Sequence, residues 1–464
     1  MLILAVACST HTKDTKNQTH QTHSAALDEV LANRKLKVLT EYNSVNYYIY
    51  RGKPMGYQYE MLQTFCRNLG VRLEIRIENN LDQAKEKLAQ GQVHLLAFGL
   101  TVTKERQQQF DFTDPIAYTR QVLIQRLPDN WRAMLTRDQI ENQLLRNTLD
   151  LAEKTIVIQE GSIYKKRLET LMNEIADTIY VLEDQRDVEE LIAAVASGDI
   201  DFTVADEYIA TQLLRTYDNL DSKTPLSFQQ KIAWAVRKEP DNELLYELNS
   251  WLNDFYSSTE SRLLYSKYFA PEVRIRSRSE FHSLTGAKIS PYDEEIREAA
   301  KTIGWDWRLL ASLIYQESEF KPASISWAGA YGLMQMMPSV MEQFNVDTAS
   351  SPEEHIMAGA RYLMYLDKLI PETVTDKQER IKFILAAYNA GTGHVLDARR
   401  LAEKYNKNKD IWTENVDFFL RNKSKPAFYN DPVSYYGYVR GEETYQFVEQ
   451  ILERYEHYRN LLPE

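Results

Sequence analysis

From residue 36 onward the apolar positions fall in short bursts separated by turn residues, and the bursts alternate between two periods. Residues 36–40 read as a strand, Gly52 to Gly56 as a turn, and residues 57–69 as a helix closed by Gly70. Residues 71–77 alternate, with Val71, Leu73, Ile75 and Ile77 on one face, and a helix over 82–89 and an apolar strand over 94–98 follow. The pattern then repeats, with strands over 155–159, 178–182 and 201–205 and helices over 161–173 and 188–197. A strand over 229–237 and an amphipathic helix over 243–256 complete it. Strand–helix–strand units imply mostly parallel sheets. The expectation is two α/β lobes, with the chain crossing between them and a ligand cleft at their junction.

Beyond residue 290 the texture changes. Ser290 followed by Pro291 reads as an N-cap with proline in the first helical position. Ser351 with Glu354 reads as a capping box. Helices are expected near 306–319, 331–343, 352–369, 377–390 and 441–461, with no strand between them. The fold class is therefore multidomain: an α/β two-lobed domain over 34–270, a polar linker over 271–289, and a mainly α domain over 290–464. Residues 1–33 read as an apolar start and a polar tether.

Composition narrows the function classes. No uncharged apolar run in the 464 residues reaches the roughly 18–20 needed for a membrane-spanning helix. The net charge of −12, with no Lys or Arg block, excludes a nucleic-acid footprint. Two cysteines, Cys8 and Cys66, exclude a disulfide scaffold and a cysteine zinc site. No metal and no cofactor is expected. Cys66 reads as a buried thiol in the helix over 57–69. Ala5-Val6-Ala7-Cys8 resembles a bacterial lipobox, although the apolar run is short for a signal peptide and no positive residue precedes it. The resemblance implies lipidation of Cys8 and a membrane anchor. Ser9, not Asp, follows the cysteine, which by analogy implies the outer membrane, facing the periplasm.

The residue with the sharpest chemical signature is Glu317. Leu310, Leu313 and Ile314 stand at i, i+3 and i+4, and Glu317 takes the i+7 place on the same stripe. A carboxyl on a core face near a helix C-terminus titrates high, as a general acid must near neutral pH. The pattern alone leaves open a structural carboxyl that caps backbone amides of the next loop. Glu319 points away from that stripe and reads as solvated.

Two sets of motifs resemble known families. Gly56-Tyr57-Gln58-Tyr59-Glu60, Gly99-Leu100-Thr101-Val102-Thr103-Lys104-Glu105-Arg106, Phe112-Thr113-Asp114-Pro115 and Gly198-Asp199-Ile200-Asp201 resemble the periplasmic amino-acid-binding proteins. That resemblance implies that Arg106 pairs with a ligand α-carboxylate, that the Thr101 and Ser162 hydroxyls assist, and that Asp206 takes the α-amino group. Read without it, Arg106 is one charge in a solvated run and Asp206 a helix N-cap. The family often has Ser where Gly99 stands.

Glu317-Ser318-Glu319-Phe320, then Ser326-Trp327-Ala328-Gly329-Ala330-Tyr331-Gly332-Leu333-Met334-Gln335, then Ala387-Tyr388-Asn389-Ala390-Gly391 resemble the lysozyme-like lytic transglycosylases. The two modules in tandem resemble the membrane-bound members of that group. The resemblance implies cleavage of the β-1,4 bond between N-acetylmuramic acid and N-acetylglucosamine in peptidoglycan glycan strands, leaving a 1,6-anhydro end. Glu317 is then the catalytic acid, and Ser326, Gln335, Tyr388 and Asn389 line the sugar subsites. An amino acid or muropeptide bound to the first module is expected to regulate the second. Tyr429, Tyr435, Tyr436 and Tyr438 form an aromatic cluster that either stacks on sugar rings or closes the domain. Phe447 replaces a family tyrosine, so no hydrogen-bonding role is carried over there.

Overall fold

The structure is a computed structural model that describes residues 25–134, 136–269, 281, 283 and 288–462. Cys8 and nearly all of the 271–289 linker lie outside the described residues. Strands β1 (Lys35–Thr40), β2 (Tyr48–Tyr50), β3 (Lys53–Met55), β4 (Arg72–Ile77), β5 (Leu95–Thr101), β6 (Phe110–Phe112) and β7 (Ala117–Thr119) come first along the chain. Strands β8 (Gln121–Arg126), β9 (Thr155–Gln159), β10 (Tyr180–Asp184), β11 (Phe202–Asp206) and β12 (Leu220–Pro225) follow, and β13 (Gln230–Arg237) returns to the first sheet. Lobe 1 is built on the order β4-β1-β5-β13-β6, with β7 paired to β13, and lobe 2 on β10-β9-β11-β8-β12.

The expectation of mostly parallel sheets is corrected. The pairs β1/β4, β1/β5, β9/β10 and β9/β11 are parallel, but β13 runs antiparallel to β5 and β8 antiparallel to β11 and β12. The reason is the crossover: β8 and β13 carry the chain between lobes and so enter each sheet from the opposite end. The tether is also corrected at its C-terminal end. Residues 25–33 are a helix whose Ala26, Leu27 and Val30 pack into the lobe 1 core, apolar spacing that the surrounding polar residues obscured. Cys66 is buried in the helix Tyr57–Leu69, and burial pushes its thiol up to about 12.

The second domain is helical, around a core that includes Leu310, Leu313, Ile314, Phe383, Leu401, Trp412 and Ile451. Two local expectations fail here. Its first helix runs Asp293–Ile303, not from Pro291. The Asp293 carboxylate accepts from the backbone N–H groups of Ile289 and Ser290 and from the Ser290 hydroxyl, folding a turn before the helix starts. Of residues 331–343 only Pro338–Gln343 is helical, because Gly332 (φ 84°) and Gln335 (φ 45°) take left-handed conformations. The helix Thr392–Lys404 and the short helices Asp417–Asn422 and Pro426–Tyr429 were not expected.

The domains pack through lobe 1. Ile49, on the β2–β3 hairpin, is fully buried within the helical domain's core. Gly52 at the hairpin turn has φ 74°, and a Cβ there would lie 2.6 Å from the Phe320 ring, 2.7 Å from the Tyr315 ring and 2.8 Å from the Tyr458 hydroxyl. That hydroxyl donates to the Gly52 carbonyl at 2.6 Å. Beside it, His457 of the helix Gly441–Leu461 sits between the hydroxyls of Tyr47 (2.5 Å) and Tyr59 (3.1 Å). Burial drives its imidazole down to about 3, so it docks neutral.

Candidate functional site

Glu317 lies in the last turn of the helix Trp307–Ser318. The helix starts on Asp306, whose carboxylate caps the Arg308 N–H at 2.9 Å and pairs with the Arg308 guanidinium. Leu309, Leu310, Leu313 and Ile314 are at most 2% exposed, which fixes the helix rotation and carries Glu317 to the edge of the core. Ser318 donates to the Leu333 carbonyl at 2.8 Å, tying the helix end to the following loop. Glu319 (φ 50°) and Phe320 (φ 60°) then turn the chain sharply. Glu319 is exposed and pairs with Lys321 at 2.7 Å, as its solvated reading requires.

The Glu317 carboxyl is mostly buried, and that burial raises it from 4.5 to about 8. Among the described residues no cation offsets the burial and no second carboxylate adds to it. Two other acids of this domain are engaged elsewhere. Glu354 completes a capping box with Ser351, and Asp367 pairs with Arg380.

The loop beside Glu317 is held by its own polar groups. The Ser326 hydroxyl accepts the Ala330 N–H at 3.0 Å, so it shapes this turn. Both amide donations of Gln335 run to backbone, to Ser324 and Gly332 carbonyls at 2.9 Å each, and its Oε1 takes no hydrogen bond among the described residues. The Tyr388 hydroxyl, close enough to Glu317 to feel its charge, donates to the Met334 carbonyl at 2.5 Å. Asn389 accepts from the Thr444 hydroxyl at 2.8 Å. Glu317, the 326–335 loop and Tyr388 therefore converge, and Asn389 ties the end of the Tyr388 helix to the helix Gly441–Leu461. Phe447 is buried and contributes packing.

The two-lobed domain brings Thr101, Arg106 and Asp206 together. Arg106 donates to the Thr101 carbonyl (2.9 Å) and hydroxyl (3.0 Å), so Thr101 holds the guanidinium in place. Asp206 occupies the N-cap position of the helix Glu207–Leu213, but its carboxylate makes no capping bond. Instead Tyr164 donates to its Oδ2 at 3.3 Å, and Oδ1 is buried with no partner among the described residues. Burial raises this carboxyl to about 7, against the pull of Tyr164 and Arg106. The Ser162 hydroxyl is likewise buried without a partner among the described residues, whereas its N–H donates to the Gln159 carbonyl.

Sequence reasoning missed Glu41, just past β1. Its carboxylate accepts from Asn43 and Asn46 at 3.2 Å each and shares the electrostatic environment of Arg106 and Asp206. Burial, then the Asp206 charge, lifts it to about 7. A lone acid after a strand carries no pattern, so only the fold reveals it. Gly99 also gains a reason: a Cβ there would lie 2.2 Å from the hydroxyl of Tyr208, which reaches across from lobe 2. Ser44 of lobe 1 likewise bonds Glu189 of lobe 2 at 2.7 and 2.8 Å.

Comparison with known proteins matches both halves. Residues 35–271 match the bacterial extracellular solute-binding proteins, family 3, and residues 294–411 match the transglycosylase SLT domain. A membrane-bound lytic murein transglycosylase F of Desulfosudis oleivorans is 33% identical, over 91% of this chain and 89% of its own. The protein of the same name from Photobacterium profundum is 29% identical, over 93% of this chain and 81% of its own. Among solved structures, an ancestral arginine-binding protein bound to arginine aligns with 51% of this chain and 98% of that one, at 22% identity and a TM-score of 0.42.

Proposed function

The chain belongs to the membrane-bound lytic murein transglycosylase F family and is a lytic transglycosylase of peptidoglycan; from that premise we propose the bond it cuts, the acid that cuts it and the signal that governs it. The bond is the β-1,4 link between N-acetylmuramic acid and N-acetylglucosamine, and the product a 1,6-anhydro end. Glu317 protonates the leaving oxygen, then as carboxylate removes the proton of the C6 hydroxyl while the substrate's acetamido oxygen supports the sugar cation. One observation carries this reading: a single carboxyl raised to about 8 by burial, with no second acid acting on it among the described residues. Most glycosidases need two such groups. The experiment is mass analysis of the ends released from digested sacculi. Anhydro ends support the mechanism, and free reducing ends would make the protein a hydrolase of lysozyme type.

The regulator is an amino acid or wall peptide in the two-lobed domain. Arg106 suits its carboxylate, and Asp206, with an unpartnered buried oxygen, its amino group. Glu41 supplies a second anion beside them, which favours a ligand bearing an extra cation. The route to catalysis is the β2–β3 hairpin, whose Gly52 abuts Tyr315 and Phe320 on either side of Glu317. A ligand that prefers the closed cleft shifts that contact, with an effect of about 5–150-fold on activity at ordinary coupling energies. Turnover is compared in wild type, Arg106→Ala and Gly52→Ala, with and without wall peptides. Stimulation in wild type alone supports regulation, and equal response in all three refutes it.

The relatives' name gives membrane association, and no described helix is long and apolar enough to cross a bilayer. The anchor we propose is acyl chains on Cys8, at the outer membrane and facing the periplasm. Labelling with a radioactive fatty acid, lost in Cys8→Ala, tests it.

A further inference from the structure

We propose that the loop over residues 431–438 is an aromatic platform that grips the glycan strand away from the bond being cut, and that Asp397 is its positioning residue. The proposal rests on the glycan-cleaving reading above and on a scaffold that the mechanism does not use.

Asp397, on the helix Thr392–Lys404, is fully buried, and so is its ion-pair partner Lys423. Its two carboxylate oxygens accept the backbone N–H groups of Tyr435 and Tyr436, both at 2.8 Å. The same helix supplies further clamps. Arg400 pairs with Asp397, donates to the Val433 carbonyl at 2.9 Å, and lies 4.3 Å from the centre of the Tyr435 ring. Lys404 pairs with Asp431 at 2.5 Å, and Asp431 in turn accepts the Val433 N–H at 3.0 Å. Gly393 receives the Tyr436 ring so closely that a Cβ would stand 2.4 Å from it.

The tyrosines that this scaffold fixes point into water. Tyr435 is 71% exposed, Tyr436 59% and Tyr438 56%. Burying two charges carries a desolvation cost that well-packed apolar residues would avoid, so the pair is not explained by stability alone. A cluster that merely closed the domain would bury its rings. Here the backbone is immobilised, Arg400 covers one face of Tyr435 and Gly393 seats Tyr436, and each ring is still more than half exposed, an arrangement that lowers the ordering cost of stacking on a ligand.

Position selects the occupant. Gly393 follows Tyr388 and Asn389 within five residues, and the loop runs on into the helix Gly441–Leu461, whose Thr444 bonds Asn389. The platform thus rests at one end on the helix that begins just after Tyr388, which feels the Glu317 charge, and at the other runs into the helix whose Thr444 bonds Asn389. A glycan strand leaving the cleavage site presents pyranose faces to stack and acetamido groups to hydrogen bond. Residues 287–464 carry 21 basic and 27 acidic side chains, so attraction to an anionic wall does not come from bulk charge.

The test uses the full chain and two substrates, long uncrosslinked glycan strands and a tetrasaccharide that spans the cleavage site only. Tyr435→Ala/Tyr436→Ala is expected to raise KM on long strands by about 3–30-fold while kcat changes less than twofold, with the tetrasaccharide KM unmoved. Tyr435→Phe/Tyr436→Phe, which keeps the ring faces, restores most of the affinity. Asp397→Asn reproduces the KM defect on long strands. Equal KM changes on both substrates, or a loss confined to kcat, would overturn the proposal. A wild-type protein that releases nothing from either substrate would instead sink the glycan-cleaving reading beneath it.

Discussion

Replacing Glu317 by Gln separates the chemistry of this carboxyl from its shape, and the structure gives the replacement two signatures of opposite sign. Turnover should fall by at least about 100-fold, since an amide cannot donate the proton. Stability should rise. In the unfolded chain the carboxyl ionises near 4.5, whereas burial holds it neutral up to about 8 in the fold. Between those values the folded state binds the extra proton, so stability is full at or below about pH 4.5 and declines as pH rises towards 8. A fully desolvated group would cost about 3 kcal/mol at pH 7 and about 4 at pH 8. Partial access to water at the groove edge reduces this to about 1–3 kcal/mol. Glutamine removes that pH-dependent cost, which corresponds to about 3–10 °C in the melting of a domain of this size. The assay is thermal unfolding of wild type and Glu317→Gln at pH 5 and pH 8, beside turnover at each pH. The expected result is nearly equal melting at pH 5 and a higher midpoint for the variant at pH 8. A difference independent of pH would show that the carboxyl is not held neutral, and near-normal turnover would remove Glu317 from the mechanism.

Three further outcomes follow from the cleft and the interface. Gly99→Ser should weaken ligand binding by at least about tenfold in titration calorimetry, and adding Tyr208→Phe should recover part of it, because the clash is with the Tyr208 hydroxyl. Without that recovery, the cross-lobe contact is not what excludes a side chain at position 99. Arg106→Ala should abolish binding of carboxylate-bearing ligands yet leave the melting temperature within a few degrees; retained affinity would move the anchor elsewhere. His457, depressed from 6.5 to about 3, docks the domains only when neutral, so its contribution is present above about pH 6.5 and lost as pH falls towards 3. Wild type should therefore lose stability between pH 6.5 and 5 more steeply than His457→Phe, and parallel curves would show that this histidine does not titrate on undocking.

The legible parts of this chain were those in which one segment carries its own evidence. Glu317 shares a helical stripe with Leu310, Leu313 and Ile314, and that spacing carries it to the edge of the core. Arg106 and Asp206 were recognisable through flanking motifs. What stayed hidden depends on segments meeting from afar. Glu41 matters because Asp206 and Arg106, 165 and 65 residues away in sequence, converge on it. The β2–β3 hairpin looks like any tight turn until Tyr315, Phe320 and Tyr458 close around Gly52. The antiparallel strands were misread for a related reason: direction within a sheet is set by where the crossover enters, and no local period records it.

In the proposed reaction the raised carboxyl also lets one residue serve where most glycosidases use two. A retaining hydrolase needs a nucleophilic carboxylate ionised while its partner acid is protonated, so two environments must push two groups apart. In the proposed reaction the substrate supplies both nucleophiles, and the protein must only donate a proton and then accept one. A group at about 8 is roughly nine-tenths protonated at pH 7, ready to donate. Once it has done so, the same burial makes its conjugate base strong, because the desolvated carboxylate gains most by recovering a proton. An ordinary exposed glutamate would meet neither demand, being almost wholly ionised at pH 7 and a weak base thereafter. Desolvation without a counter-charge therefore suits a single group cycling between both roles, and an arginine placed beside Glu317 would defeat it by holding the carboxyl ionised.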